Sequence, residues 1–194
     1  MVTTEQIKQL RDQTGISVMQ CKKALEEAGG DMEKALVILR AKSKEAASKK
    51  SDRALGAGVV ASYVHSNSLV GSLVELACET DFVAKNDEFK ALAYEIAMHV
   101  TAASPEYLDS SAVPSAAKEK VKETFADEVK SKPENIREKI MEGKLAAYFG
   151  EMTLLDQPFI KNPDLTVKGL IDAAVQKFGE KIAVVRFSRF QVGK

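Results

Sequence analysis

The hydrophobic pattern first changes period at Ala57, and that change limits the fold more than any other feature of the chain. Before it, apolar residues recur at helical spacing. After it come two β-branched runs within "AGVVASYVHSNSLVGSLVELAC", on either side of His65-Ser66-Asn67-Ser68. A period near 3.6 suits a helix that buries one stripe, and a period of two suits a strand that buries one face. The two runs predict a β-hairpin with a short polar loop. That loop lacks the glycine that tight hairpin turns favour, which leaves the register open. On the second strand Val70, Val74, Leu76 and Cys78 share one face, with Leu73 and Glu75 on the other.

Ahead of the switch, residues 1–50 carry the punctuation of three short helices. Thr3 with Gln6, and Ser17 with Gln20, have capping-box spacing, and Asp31 is placed to cap a third helix. Thr14-Gly15 and Gly29-Gly30 supply the stops. Ile7 and Leu10, then Val18, Cys21, Ala24, Leu25 and Ala28, then Ala35, Leu36, Ile38 and Leu39 give the apolar faces. Three short helices make a marginal core, so this unit is expected to lean on the rest of the chain or on a partner. Residues 40–56, "RAKSKEAASKKSDRALG", carry six basic and two acidic side chains. They read either as a solvated helix end and linker or as a contact surface for an acidic partner.

After the hairpin, Phe89, Leu92, Ala93, Ile96, Ala97 and Val100 form a single broad stripe on a helix over 86–103, suited to covering one side of a sheet. Ser104-Pro105 ends it. A weaker helix is predicted over about 115–130 and another after Ser131 and Pro133, with Gly143 as a flaw. "DQPFIKNPD" reads as a loop. Thr166 caps a last helix that Gly179 stops, and "KIAVVRFSRFQV" is the third strand of the sheet. The predicted class is α+β. Residues 1–54 form a three-helix domain with a basic linker, and residues 55–194 form a core of a three-stranded antiparallel sheet packed with helices.

The 194 residues hold 28 Lys plus Arg and 28 Asp plus Glu, a balance that argues against a general nucleic-acid binder. No apolar run approaches the ~20 residues needed to cross a bilayer. "MVTTEQIKQL" has neither the basic head and apolar stretch of a secretory signal nor a transit-peptide composition. Cys21 and Cys78 lie far apart among apolar neighbours, which suggests inert core thiols and a cytoplasmic protein.

Catalytic signals are sparse. Gly56-Ala57-Gly58 follows no strand and lacks a third glycine, so it makes a poor phosphate cradle. His65 and His99 have no partners at zinc spacing. A thiol enzyme would need Cys78 exposed beside a histidine, whereas the strand pattern turns it to the core. Glu79 and Asp81 could form an acid–base pair, but at a strand-to-helix junction their expected use is to satisfy free N–H groups and the helix dipole. No cofactor, metal or enzymatic activity is predicted.

Phe82 remains ambiguous. Seven residues before Phe89, it falls on the same apolar stripe if one helix starts at Asp81. If Asn86 or Asp87 caps a fresh helix, "TDFVA" becomes a separate short turn that can hold a side chain outward.

"TDFVAKN", preceded by "VGSLVELACE" and paired with "LRDQTGISVMQCKKALEEAGGDMEKAL", resembles the bacterial translation elongation factor Ts family. The likeness continues through "AYEIAMHVTAASPEYL", "KPENIREKIMEGKL" and "LLDQPFI" to "VVRFSRF" and covers nearly the whole chain in order. The resemblance implies a guanine nucleotide exchange factor for the GTPase elongation factor Tu. It implies that residues 1–50 are a ubiquitin-associated-type module that docks on the GTPase. It carries Thr80, Asp81, Phe82 and Val83 over as the partner-binding, magnesium-displacing element, with Phe82 entering a pocket beside the partner's magnesium and phosphate site. By the same route Val18, Met19, Lys22, Lys50 and His65 become GTPase contacts. Longer members carry two copies of the core module and this chain has room for one. The resemblance therefore implies a symmetric homodimer through the three-stranded sheets, with no covalent link at Ser188.

Overall fold

The computed structural model describes residues 2–131 and 133–194. Helices α1 (Thr4–Thr14), α2 (Val18–Glu27) and α3 (Met32–Ser48) follow the predicted punctuation. Thr3 and Gln6 form the reciprocal box, the Gln6 N–H donating to Thr3 Oγ1 at 3.2 Å and the Thr3 N–H to Gln6 Oε1 at 3.0 Å. Ser17 and Asp31 accept from the N–H groups of Gln20 and Lys34. Leu10, Ile16, Cys21, Ala24, Leu25, Ala35 and Leu39 form a small separate core.

The stretch expected to be a solvated helix end is packed along one side. α3 continues to Ser48, and Ser43 is buried, donating to the Leu39 carbonyl and meeting the side chain of Gln176. Ala47 packs on the main core. Small residues at i and i+4 let two helices approach closely, and a count of large apolar residues does not register them. In this way the helical unit leans on the rest of the chain.

The main sheet is antiparallel, in the order β1 (Ala57–Val64), β2 (Val70–Cys78), β5 (Ile182–Gln191). The hairpin register runs from Ala57 opposite Cys78 to Val64 opposite Gly71. Ser68 adopts φ 57°, supplying the left-handed residue expected of a glycine, and its N–H bonds the His65 carbonyl at 2.8 Å. Gly58 serves the ladder and not a phosphate: a Cβ there would lie 2.5 Å from the Leu76 carbonyl oxygen.

Beyond β2 the chain makes α4 (Asp81–Ala84) and then α5 (Asp87–Ala103). Every residue of the predicted α5 stripe is buried, against Val74, Leu76 and Cys78 on the inner face of the sheet. Helices α6 (Ser115–Lys130) and α7 (Glu134–Gly150) pair as a projecting hairpin. Gly143 does not break α7; its cost of about 1 kcal/mol is local and the pairing with α6 outweighs it. The proline-bearing stretch expected to be a loop forms a two-stranded ribbon, β3 (Pro158–Phe159) with β4 (Asn162–Thr166). Tertiary anchoring explains it. Phe159 is buried against His99, whose Nδ1 accepts the Ile160 N–H at 3.3 Å. Helix α8 (Val167–Phe178) is capped by Thr166, ended by Gly179 at φ 75°, and packed between α3 and β5.

Candidate partner-binding site

Cys78 ends β2, and Thr80, in extended backbone, caps α4. Its hydroxyl oxygen accepts the Val83 N–H at 3.5 Å. Successive helical residues point about 100° apart, so the turn cannot hide all of its side chains. Val83 is 4% exposed and Ala84 is buried, both in the main core, and that choice turns Asp81 and Phe82 outward. Phe82 is 80% exposed. Leaving a phenylalanine in water forgoes about 1.5–3 kcal/mol of burial.

Asn86 decides the ambiguity between Phe82 and Phe89. It sits in extended backbone (φ −67°, ψ 132°) and its side chain accepts the Glu88 N–H at 2.8 Å, starting a new helix. The helical phase is reset there, so Phe82 leaves the α5 stripe. Asp81 is bonded to Lys85 at 2.6 Å. The Lys85 hydrogen bond, then its charge, hold the Asp81 carboxyl below the ordinary aspartate value, so the tip presents a carboxylate beside an aromatic ring at neutral pH.

The base of this tip is tied to distant parts of the chain. Glu180 accepts the N–H groups of Glu79 (3.1 Å) and Thr80 (3.0 Å) on one oxygen and the Thr80 hydroxyl (2.6 Å) on the other. Glu79 accepts the Lys181 N–H and Arg53 Nη1, the latter at 3.2 Å. The Lys181 N–H first, then Arg53, lower the Glu79 carboxyl. Lys181 Nζ in turn donates to the carbonyls of Ser51 (2.6 Å) and Arg53 (2.9 Å). This corrects the expected role of Glu79: the N–H groups at the junction are met by Glu180, a residue 100 positions away.

Asp81 and Phe82 thus form an exposed carboxylate and aromatic pair on a clamped one-turn helix. A sequence profile of the family described as Elongation factor TS matches residues 3–194. The chain belongs to the elongation factor Ts family. It is 50% identical over 196 residues to "Elongation factor Ts" of Carboxydothermus hydrogenoformans, covering 100% of this chain and 90% of that protein. It is 49% identical over 194 residues to the protein of that name from Thermodesulfovibrio yellowstonii, with 100% and 97% covered. Against the Thermosipho melanesiensis protein the identity is 47% over 196 residues, and both chains are covered in full.

The other expected contact residues are spread out. Val18 and Met19 are 53% and 67% exposed at the start of α2, so Val18 is not a core residue of that helix. Cys21, Ala24 and Leu25 already fill the small core and leave no place for it. Lys22 is exposed and 3.8 Å from Glu26. The turn just before α2 is linked to the base of the tip: Lys177 Nζ lies against Gly15 and pairs with Glu88 at 2.9 Å. Lys50 is half-buried, close enough to Glu79 for its charge to help lower that carboxyl. His65 is exposed at the hairpin loop, with Nδ1 3.1 Å from Tyr63 Oη. Asp81 and His65 lie off opposite ends of the hairpin, separated by roughly seven residue steps of strand, or about 25 Å. Of the four residues carried over at the tip, Val83 does not face outward: its side chain is the anchor. The Thr80 hydroxyl is turned inward to Glu180 and the Val83 N–H.

Both cysteines are fully buried, and burial pushes both thiols up; Cys78 Sγ donates to the Thr80 carbonyl at 3.2 Å. A thiol mechanism therefore lacks an exposed nucleophile. Among the described residues no group of three or more His, Cys, Asp or Glu is placed to hold a metal ion, and no helix is long and apolar enough to cross a membrane. The outer face of the sheet, by contrast, exposes Val60, Val64, Leu73, Val185 and Phe190. Phe190 lies opposite Gly71 and Leu73 opposite Ser188, so small residues alternate with large ones across that face.

Proposed function

We propose that this chain is a guanine nucleotide exchange factor that speeds GDP release from the translation GTPase elongation factor Tu. In this reading Asp81 and Phe82 enter beside the partner's magnesium and phosphate site. The observation that carries it is a ring left 80% exposed on a clamped turn, in a member of the elongation factor Ts family. GDP is held in such GTPases through phosphate contacts and a magnesium ion. A ring pushed between the elements around the ion, with a carboxylate next to it, removes charge compensation from the phosphates. No covalent bond is made or broken, so the factor is not an enzyme in the chemical sense and needs no cofactor. Coupling is reciprocal: the factor weakens GDP, and an incoming nucleotide weakens the factor.

Residues 1–54 act as the ubiquitin-associated-like docking unit, with Val18, Met19, Lys22 and Lys50 toward the GTPase, and residues 55–194 act as the exchange core. His65 lies too far from the tip to share its pocket and contacts a second region of the partner or a partner bound to the other protomer. The apolar outer face of the sheet suits a second copy of the chain, giving a homodimer that binds two GTPase molecules. The reading places the protein in the cytoplasm, where translation runs, and the balance of 28 basic and 28 acidic residues fits a factor that engages a protein and not nucleic acid directly.

Stopped-flow release of a fluorescent GDP analogue from elongation factor Tu tests the reading. Phe82→Ala is expected to fold normally and to slow factor-stimulated release by at least about tenfold, the scale of one lost hot-spot side chain. An unchanged rate would count against the tip as the exchange element.

A further inference from the structure

We infer that Glu180 is the positioning residue for the exchange tip: its carboxylate fixes where Asp81 and Phe82 stand by holding the Glu79–Thr80 junction, and it does so without touching the partner. The inference rests on the exchange reading above. Glu180 follows the Gly179 stop of α8, so it is fixed to the end of a helix packed in the core. One of its oxygens takes two consecutive backbone N–H groups and the other takes the Thr80 hydroxyl proton. That last bond determines the cap. With its proton committed to Glu180, Thr80 Oγ1 turns a lone pair to the Val83 N–H and so sets the first and only turn of α4. A four-residue helix has too few internal bonds to hold its own direction. The direction of the Phe82 ring is therefore inherited from the Thr80 cap, and the cap from Glu180.

A second layer explains why the clamp does not slide. Glu79 binds the Lys181 N–H and Arg53, and Lys181 Nζ holds the carbonyls of Ser51 and Arg53. Three segments, at 51–53, 79–80 and 180–181, are thus tied at one point. The first of them follows Lys50, the last docking residue of the helical unit. The clamp is a polar path from that unit to the tip.

Glu180→Ala removes three hydrogen bonds at once and is expected to lower the plateau rate of GDP release, at saturating factor, by about tenfold, on the scale of charged hydrogen bonds lost. The factor concentration giving half the plateau should stay within about twofold, because the docking surfaces remain. Glu180→Gln keeps one oxygen for the two N–H groups but faces an amide N–H₂ to the Thr80 hydroxyl, so it should fall between wild type and Glu180→Ala. A merely structural role gives a different pattern: fewer folded molecules move the half-saturation point and leave the plateau alone. That pattern, with Phe82→Ala still slow, overturns the positioning role and leaves the exchange reading standing. If Phe82→Ala and Glu180→Ala both exchange at the wild-type plateau, the exchange reading itself fails. Should Glu180→Ala not fold, the plateau of Glu180→Gln decides, and a wild-type value overturns the inference.

Discussion

Phe82 and Phe89 are seven residues apart, identical in chemistry and opposite in fate. Phe89 is 0% exposed and meets Phe178 edge-on at a centroid distance of 6.1 Å; Phe82 is 80% exposed. The segment around Phe89 is a long helix whose position follows from a wide apolar stripe. The segment around Phe82 is a single turn whose position follows from polar groups: the Thr80 cap, the Glu180 carboxylate and the buried Val83. Hydrophobic burial is non-directional and tolerates small shifts, whereas hydrogen bonds fix direction. A core aromatic needs the first and a presented aromatic needs the second.

The contrast can be broken most forcefully at the buried ring. Phe89→Ala is expected to cost about 3–5 kcal/mol in urea denaturation, while Phe82→Ala stays within about 0.5 kcal/mol of wild type. Similar losses at both sites would mean that Phe82 is a structural residue. A smaller effect separates the tip from the other exposed apolar region. Val60→Lys on the outer sheet face is expected to weaken self-association at least tenfold, or about 1.4 kcal/mol, in sedimentation equilibrium, with Phe82→Ala leaving it unchanged. A wild-type chain that stays monomeric at high concentration would remove the dimer from the proposal.

Acid sharpens the same comparison and has the smallest effect. His99 on α5 is fully buried; its Nδ1 accepts the Ile160 N–H while Nε2 donates to Gln157 Oε1 at 3.0 Å. Burial pushes the imidazole below its ordinary value of 6.5, and the Gln157 bond only partly opposes this. The unfolded chain then binds the proton more readily than the folded one. Stability is complete above pH 6.5 and falls as the pH drops through the folded value, with a slope of up to about 1.4 kcal/mol per pH unit. Asp81 at the tip is shifted down by Lys85 and keeps its charge throughout this window. Mild acid should therefore weaken the packing of α5 on the β3–β4 ribbon before it changes the tip. His99→Gln should flatten the dependence of unfolding free energy on pH between about 7 and 5. An equal slope in the variant would assign the acid sensitivity elsewhere.

Much of the scaffold was legible in residue order because its signals are local. Thr3 with Gln6, Asp31, Gly15, Thr166 and Gly179 each act within four residues, and the α5 stripe runs through about three turns at one period. The errors arose where long-range packing outweighed local signals. Ser43 and Ala47 gave no apolar signal yet place α3 against the core, and Pro158–Phe159 became a strand because Phe159 had a pocket to fill. At the site, "TDFVAKN" marked which residues to watch, but periodicity alone put Phe82 and Phe89 on one face.

Residue order determined most of the helices, the three strands of the main sheet and the α+β class by itself, since capping, left-handed stops and hydrophobic period are decided by neighbours a turn away. Only the tertiary structure decided that Phe82 points outward, that Val83 anchors it and that Glu180 and Glu79 hold its base. Those contacts join residues about a hundred positions apart. A single carboxylate at such a distance leaves no period and no motif in the chain; it becomes meaningful only when folding brings it within 3.1 Å of the groups it binds.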